Sequence, residues 1–136
     1  MNASALPSLA MLCVDDEAII LLALERTLRN SFGGSYRYER ALGGSQAIAT
    51  IEELENDGVD VAVIISDWRM PGMSGDQFLR IAHDRCPRAR CFLLTGYAES
   101  AQVEALKVDV GLAAAFSKPC DGKALAAAIR TSLESS

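Results

Sequence analysis

Val59-Asp60-Val61-Ala62-Val63-Ile64-Ile65-Ser66-Asp67 is an almost unbroken apolar run, rich in Val and Ile, that stops at a carboxylate. Branched apolar residues without polar alternation mark a parallel strand covered on both faces. A central strand is therefore expected over 59–65, with Ser66-Asp67 at its carboxyl end. Met70-Pro71-Gly72-Met73 follows as a turn. Ser74-Gly75-Asp76-Gln77 then spells a capping box, which opens a helix through Phe78, Ile81 and Ala82 that ends before Pro87.

Working outward, the same strand-then-helix unit repeats. Leu9-Ala10-Met11-Leu12-Cys13-Val14 is too short for a stable helix and stops at Asp15-Asp16, so it reads as a buried strand. Leu21, Leu24 and Leu28 then recur at helical spacing, Glu25 stands four residues before Arg29, and Gly33-Gly34 ends the helix. A weak, charged strand over 36–41 precedes a helix whose apolar face is Ala47, Ile48, Ile51 and Leu54. Cys91-Phe92-Leu93-Leu94 is the fourth strand, 99–107 a short and less amphipathic helix, and 112–116 the last strand. Asp121 caps a final helix bearing Leu125, Ala128, Ile129 and Leu133.

Five strands alternating with five helices, joined by right-handed crossovers, form a doubly wound α/β (βα)5 sandwich around a five-stranded parallel sheet. The 136 residues have room for one domain, expected to span 1–136, with a core over about 8–134.

Thirteen Lys and Arg against eighteen Asp and Glu leave a net charge of -5. That balance argues against a broad footprint for nucleic acid or anionic lipid, and favours a protein or a small charged ligand. The apolar runs fall well short of the roughly 20 residues a bilayer span needs. Residues 1–9 lack a basic segment followed by an apolar one. A soluble, cytoplasmic protein without membrane contact is expected. Cys13, Cys86, Cys91 and Cys120 form no CxxC pair, and free thiols are expected.

Four apolar runs end in residues suited to a phosphoryl group or a metal ion: Asp15-Asp16, Asp67, Thr95 and Lys118-Pro119. Ligands of open parallel sheets bind beyond the carboxyl ends of the strands, so these four places are expected to converge on one site. A carboxylate with a reference pKa of about 3.9 is ionised at neutral pH and attacks phosphorus without a general base. Three close carboxylates repel one another, and a divalent cation such as Mg²⁺ relieves that repulsion. Lys118 supplies positive charge for the transferred group and the Thr95 hydroxyl a hydrogen bond.

Val14-Asp15-Asp16-Glu17, Ser66 through Gly75, Leu94-Thr95-Gly96 and Ser117-Lys118-Pro119 together resemble the receiver domain of two-component response regulators, over nearly the whole chain. The resemblance implies a flavodoxin-like strand order 2-1-3-4-5, Asp67 as phosphoacceptor, and Thr95 and Lys118 as its partners in transfer. It also implies Mg²⁺, with Mn²⁺ as a substitute. The metal would be held by Asp16, Asp67 and the main-chain carbonyl of Arg69, with Asp15 acting through a water. The implied donor is a phosphohistidine on a histidine kinase or histidine phosphotransfer protein. The readout would be a downstream protein target, an output domain or a phosphorylation-dependent homodimer. The Lys118-Pro119 bond is cis in the implied fold.

Two positions depart from the family pattern. Ala115 stands three before the lysine, where an aromatic usually swings inward with the threonine, and Phe116 follows it. Tyr97 then takes over part of the signalling, or the output relies on loop motion. Arg69 and Tyr97 occupy the places two after Asp67 and two after Thr95, which flank the path of attacking water in such domains, so slow hydrolysis is expected. His83, beside Asp84 and Arg85, is read as solvent-facing without a role.

Competing functions differ at single residues. An aspartyl-phosphate phosphatase carries a second Asp two after its nucleophile as general acid, where this chain has Arg69. A phosphorylation-independent interaction module typically lacks one of the aspartates or the lysine, and all are present here. No enzymatic turnover is expected beyond phosphorylation and dephosphorylation at Asp67 itself. A stand-alone regulator and a receiver carried by a longer protein fit this sequence equally.

Overall fold

The structure is a computed structural model that describes residues 7–97 and 100–135. Five parallel strands, β1 (Leu9–Val14), β2 (Arg37–Ala41), β3 (Asp60–Asp67), β4 (Arg90–Thr95) and β5 (Ala114–Ser117), form one sheet in the order β2-β1-β3-β4-β5. The helices between and after them are α1 (Ala18–Phe32), α2 (Gly44–Asn56), α3 (Gly75–Arg85), α4 (Ala101–Asp109) and α5 (Gly122–Glu134). The fold class and strand order are those expected.

The strand of the opening stretch is central, paired with β1 on one side and β4 on the other. Its alternate residues serve two separate cores. Ile64 joins Leu12, Ile51, Phe78, Leu79, Leu93, Val103 and Leu106 on the face covered by α2, α3 and α4. Val63 and Ile65 join Met11, Leu24, Leu28, Phe92, Leu125 and Ile129 on the face covered by α1 and α5. Each fully enclosed side chain of this size is worth about 1.5–3 kcal/mol of burial, which is why both faces of β3 are apolar.

Helix ends follow the local chemistry. Ser74 and Gln77 make the reciprocal capping box of α3, Ser100 accepts from the Val103 N–H to start α4, and Asp121 accepts from the Lys123 N–H to start α5. Gly33, at φ 64°, returns its N–H to the Arg29 carbonyl and closes α1.

Three local expectations change. The last strand begins at Ala114, two residues later than read, because Gly111, at φ 63°, turns the chain after α4 and the Leu112 N–H still bonds the Leu106 carbonyl. Helix α4 runs Ala101–Asp109, and its expected first residue, Glu99, lies outside the described residues. His83 is half-buried, with Nδ1 enclosed and without a hydrogen-bond partner among the described residues. It stands one turn after Leu79, on the flank of the buried stripe of α3.

The four cysteines are free thiols, and burial pushes Cys13 and Cys91 up to about 12. Among the described residues no helix is long and apolar enough to cross a membrane.

Candidate functional site

The parallel register brings the four expected strand ends to one edge of the sheet. The Asp15 N–H bonds the Ala41 carbonyl at 3.1 Å, the Trp68 N–H the Leu94 carbonyl at 3.0 Å, and the Lys118 N–H the Thr95 carbonyl at 3.1 Å. Neighbouring exits are therefore tied to each other. The Lys118-Pro119 peptide is cis, as the resemblance implied.

Carboxylate oxygens of Asp15, Asp16 and Asp67 all lie within 4.8 Å of one another. Asp15 and Asp67 are buried and Asp16 is exposed. Lys118 Nζ reaches over them, 2.8 Å from Asp67 Oδ1 and 3.6 Å from Asp15 Oδ2. Asp15 Oδ1 accepts the Glu17 N–H at 2.8 Å, whereas its enclosed Oδ2 has no hydrogen-bond partner among the described residues.

Burial pushes the Asp15 carboxyl up; the Glu17 N–H and Lys118 oppose this, and the charges of Asp67 and Asp16 add to it. For Lys118, burial alone lowers the ammonium, but its hydrogen bond to Asp67 and the charges of Asp67 and Asp15 outweigh that, and the net shift is upward. One ammonium among three carboxylates leaves the cluster electron-rich. An orphaned, enclosed oxygen beside three hard oxygen donors fits a hydrated divalent cation.

Thr95 is buried, and its Oγ1 accepts the Tyr97 N–H at 3.1 Å, while its own hydrogen has no acceptor among the described residues. Asp67, Trp68, Arg69, Thr95, Tyr97, Ser100, Gln102 and Lys118 line a cavity of about 580 Å³. Arg69 is exposed at its rim, and Tyr97 is 71 % exposed. Ala115 faces the core beneath α4, whereas Phe116 packs on the opposite face, beneath α1 and α5. Phe116 is thus on the wrong side of the sheet to replace the missing aromatic.

Two contacts at the acceptor were not anticipated. The enclosed Ser66 hydroxyl donates to the Asp67 carbonyl at 2.9 Å. A Cβ built on Gly75 would lie 2.2 Å from that same carbonyl oxygen. A hydroxyl inside an otherwise apolar central strand, and a glycine at the first position of a helix, were the available signals.

The model of the response regulator receiver domain family matches residues 11–130. The chain belongs to that family. Among curated relatives, this receiver is 31% identical over 127 residues to the sensor kinase CckA of Brucella abortus, covering 93% of this chain and 13% of the kinase. It is 33% identical over 109 residues to the hydrogenase transcriptional regulatory protein HoxA of Cupriavidus necator, covering 80% of this chain and 21% of that protein. The receiver thus spans a small part of the curated relatives it matches.

Solved structures agree with the fold. The signal receiver domain of an HD domain-containing protein from Pseudomonas fluorescens Pf-5 superposes with a TM-score of 0.78 at 26% identity, covering 96% of both chains. A CheY-like receiver domain protein from Methanospirillum hungatei JF-1 gives 0.78 at 26%, covering 96% of this chain and 95% of that one.

Proposed function

We propose that this receiver accepts a phosphoryl group on Asp67 in a Mg²⁺-dependent transfer from a phosphohistidine, and that the aspartyl phosphate switches protein interactions. The observation that carries the reading is the 2.8 Å contact of Lys118 Nζ with Asp67 Oδ1 inside a cluster of three carboxylates. An isolated buried carboxylate is costly, and this pairing sets a cation directly beside Asp67 at the wall of the cavity.

In the transfer, the phosphorus–nitrogen bond of the donor breaks as a phosphorus–oxygen bond forms at Asp67. The leaving imidazole keeps the electron pair and takes a proton from solvent. Lys118 shifts toward the phosphoryl oxygens, and the hydrogen of Thr95 Oγ1 donates to one of them. A bound Mg²⁺ supplies positive charge that offsets the carboxylates and the phosphoryl oxygens. Asp16 and Asp67 would hold it directly, with the Arg69 main-chain carbonyl, and the orphaned Asp15 Oδ2 would accept from one of its waters.

The donor is a histidine kinase or histidine phosphotransfer protein, and the readout is a partner protein, an output domain or a second copy of this receiver. Turnover on outside substrates is not part of the proposal, since Arg69 stands where a phosphatase needs a proton donor. The test is incubation with Mg²⁺ and acetyl phosphate, followed by intact mass and size-exclusion chromatography. A single phosphate adduct on the wild type and none on Asp67→Asn is expected. No wild-type adduct, or an equal adduct on the variant, refutes the reading.

A further inference from the structure

We propose that Ser66 and Gly75 are positioning residues that clamp the main-chain carbonyl of Asp67 from two sides, and so set where the acceptor carboxylate sits. The inference rests on Asp67 being the phosphoacceptor. On one side the Ser66 hydroxyl, wholly enclosed, donates to the Asp67 carbonyl oxygen at 2.9 Å. On the other side the first residue of α3 lies so close that a Cβ on Gly75 would meet that oxygen at 2.2 Å, and the Asp67 carbonyl carbon and Trp68 Cα at 3.0 Å. The Gly75 N–H also donates to the Trp68 carbonyl at 2.7 Å. The peptide that follows the acceptor is therefore held by a hydroxyl and a bare Cα, and the next peptide by the Gly75 amide.

Strand alternation places this clamp opposite the chemistry. Ser66 lies on the face of Ile64, toward α2 and α3, whereas Asp67 meets Lys118 at the exit of β5. The clamp thus touches neither the carboxylate nor the cavity and acts only through the Asp67 backbone. Ordinary side-chain contacts begin near 3.4 Å, so any Cβ at position 75 must move that backbone or helix α3. A displacement of about 1 Å is enough to break a hydrogen bond of the length Lys118 makes to Asp67. Misplacement of that size costs on the order of 10²-fold in a positioned reaction.

The hydroxyl and the glycine are each poorly explained by folding alone. Ser66 is a wholly enclosed polar group next to the carboxyl end of β3, and alanine is a better helix former than glycine at position 75. Ser66→Ala removes the donor with almost no change in volume, while Gly75→Ala adds the clashing carbon. Both variants, with Gly34→Ala as a control where a Cβ meets open space, are compared with wild type in three measurements. These are thermal melting, titration with Mg²⁺ alone followed by Trp68 fluorescence, and the rate of adduct formation from acetyl phosphate.

Ser66→Ala is expected to stay folded, with Mg²⁺ affinity and phosphorylation rate each lowered roughly 3–10-fold. For Gly75→Ala the expected loss of rate is about 10²-fold, at saturating Mg²⁺ as well. Gly34→Ala is expected to match wild type. Either folded variant with wild-type affinity and rate overturns the clamp, as does a melting change without change in either. If Gly75→Ala does not fold, Ser66→Ala alone decides. A wild type with neither adduct nor Mg²⁺ response overturns the phosphoacceptor reading itself, a result distinct from a normal wild type beside normal variants.

Discussion

Lys118 Nζ stands 2.8 Å from Asp67 Oδ1, and both side chains come from strand exits that are not adjacent in the sheet, with β4 lying between them. The β5 exit is held beside β4 by the bond from the Lys118 N–H to the Thr95 carbonyl, and the lysine side chain spans from there to Asp67. The same ammonium stands 3.6 Å from Asp15 Oδ2 and partly offsets the burial of that carboxyl.

Replacing Lys118 by Met leaves two buried carboxylates, Asp15 and Asp67, facing each other without their cation. The expected result is a phosphorylation rate about 10²-fold lower, the usual scale for losing one charge-stabilising donor, at unchanged secondary structure. Radiolabel or intact-mass kinetics with acetyl phosphate, alongside circular dichroism, measure both.

The Lys118 ammonium is raised above its ordinary 10.5 in the folded state, so its contribution to stability is complete below that pH and disappears as pH climbs through the folded value. Denaturant melts of wild type above pH 10.5 should lose stability faster than those of Lys118→Met. Parallel losses in the two proteins would contradict the assignment.

Asp15 is shifted in the same direction, but here the charged form is the disfavoured one. Its carboxyl is raised above 3.8, so the folded chain binds the proton more tightly and stability falls as pH rises through the interval above 3.8. Asp15→Asn removes this burden and should melt higher than wild type in metal-free buffer at neutral pH. A gain of 1 kcal/mol corresponds to about 3 °C for a chain of this size. The same substitution should weaken Mg²⁺ binding, so the ranking of the two proteins narrows or reverses as Mg²⁺ is added.

Mg²⁺ itself should stabilise the wild type by mass action, about 1.4 kcal/mol at ten times the dissociation constant. Asp67→Asn should abolish most of that shift. Calorimetric melts with and without EDTA decide this, and equal shifts in the two proteins would place the ion elsewhere.

Arg69 and Tyr97 both line the cavity in front of Asp67. Bulk and charge there should obstruct attacking water, so the aspartyl phosphate is expected to persist for minutes or longer. Arg69→Ala combined with Tyr97→Ala should shorten its half-life roughly tenfold, a barrier change near 1.4 kcal/mol. Decay of the wild-type adduct within seconds would contradict the proposal.

The unbroken apolar run around Val63-Ile64-Ile65 and the helical spacing of Leu21, Leu24 and Leu28 made the βα units legible, because burial on both faces of a strand or one stripe of a helix imposes its pattern directly on the chain. The site residues were legible for a related reason: Asp15, Asp16, Asp67, Thr95 and Lys118 each interrupt an apolar run at a strand end. The start of β5 was not, since a glycine turn and one backbone bond at Leu112 override the apolar character of 112–116. His83 was misread because one turn of helix decides between solvent and the edge of the core.

Local chemistry thus determined the elements, their order and the residue types at the sheet edge. Only the tertiary structure decided the 2.8 Å contact of Lys118 with Asp67, the enclosure of the Asp15 Oδ2 oxygen, and the approach of Gly75 to the carbonyl that Ser66 also bonds. Each of these depends on distances between segments remote in sequence, and those distances are set by how strands pair and helices pack rather than by any residue's own preference.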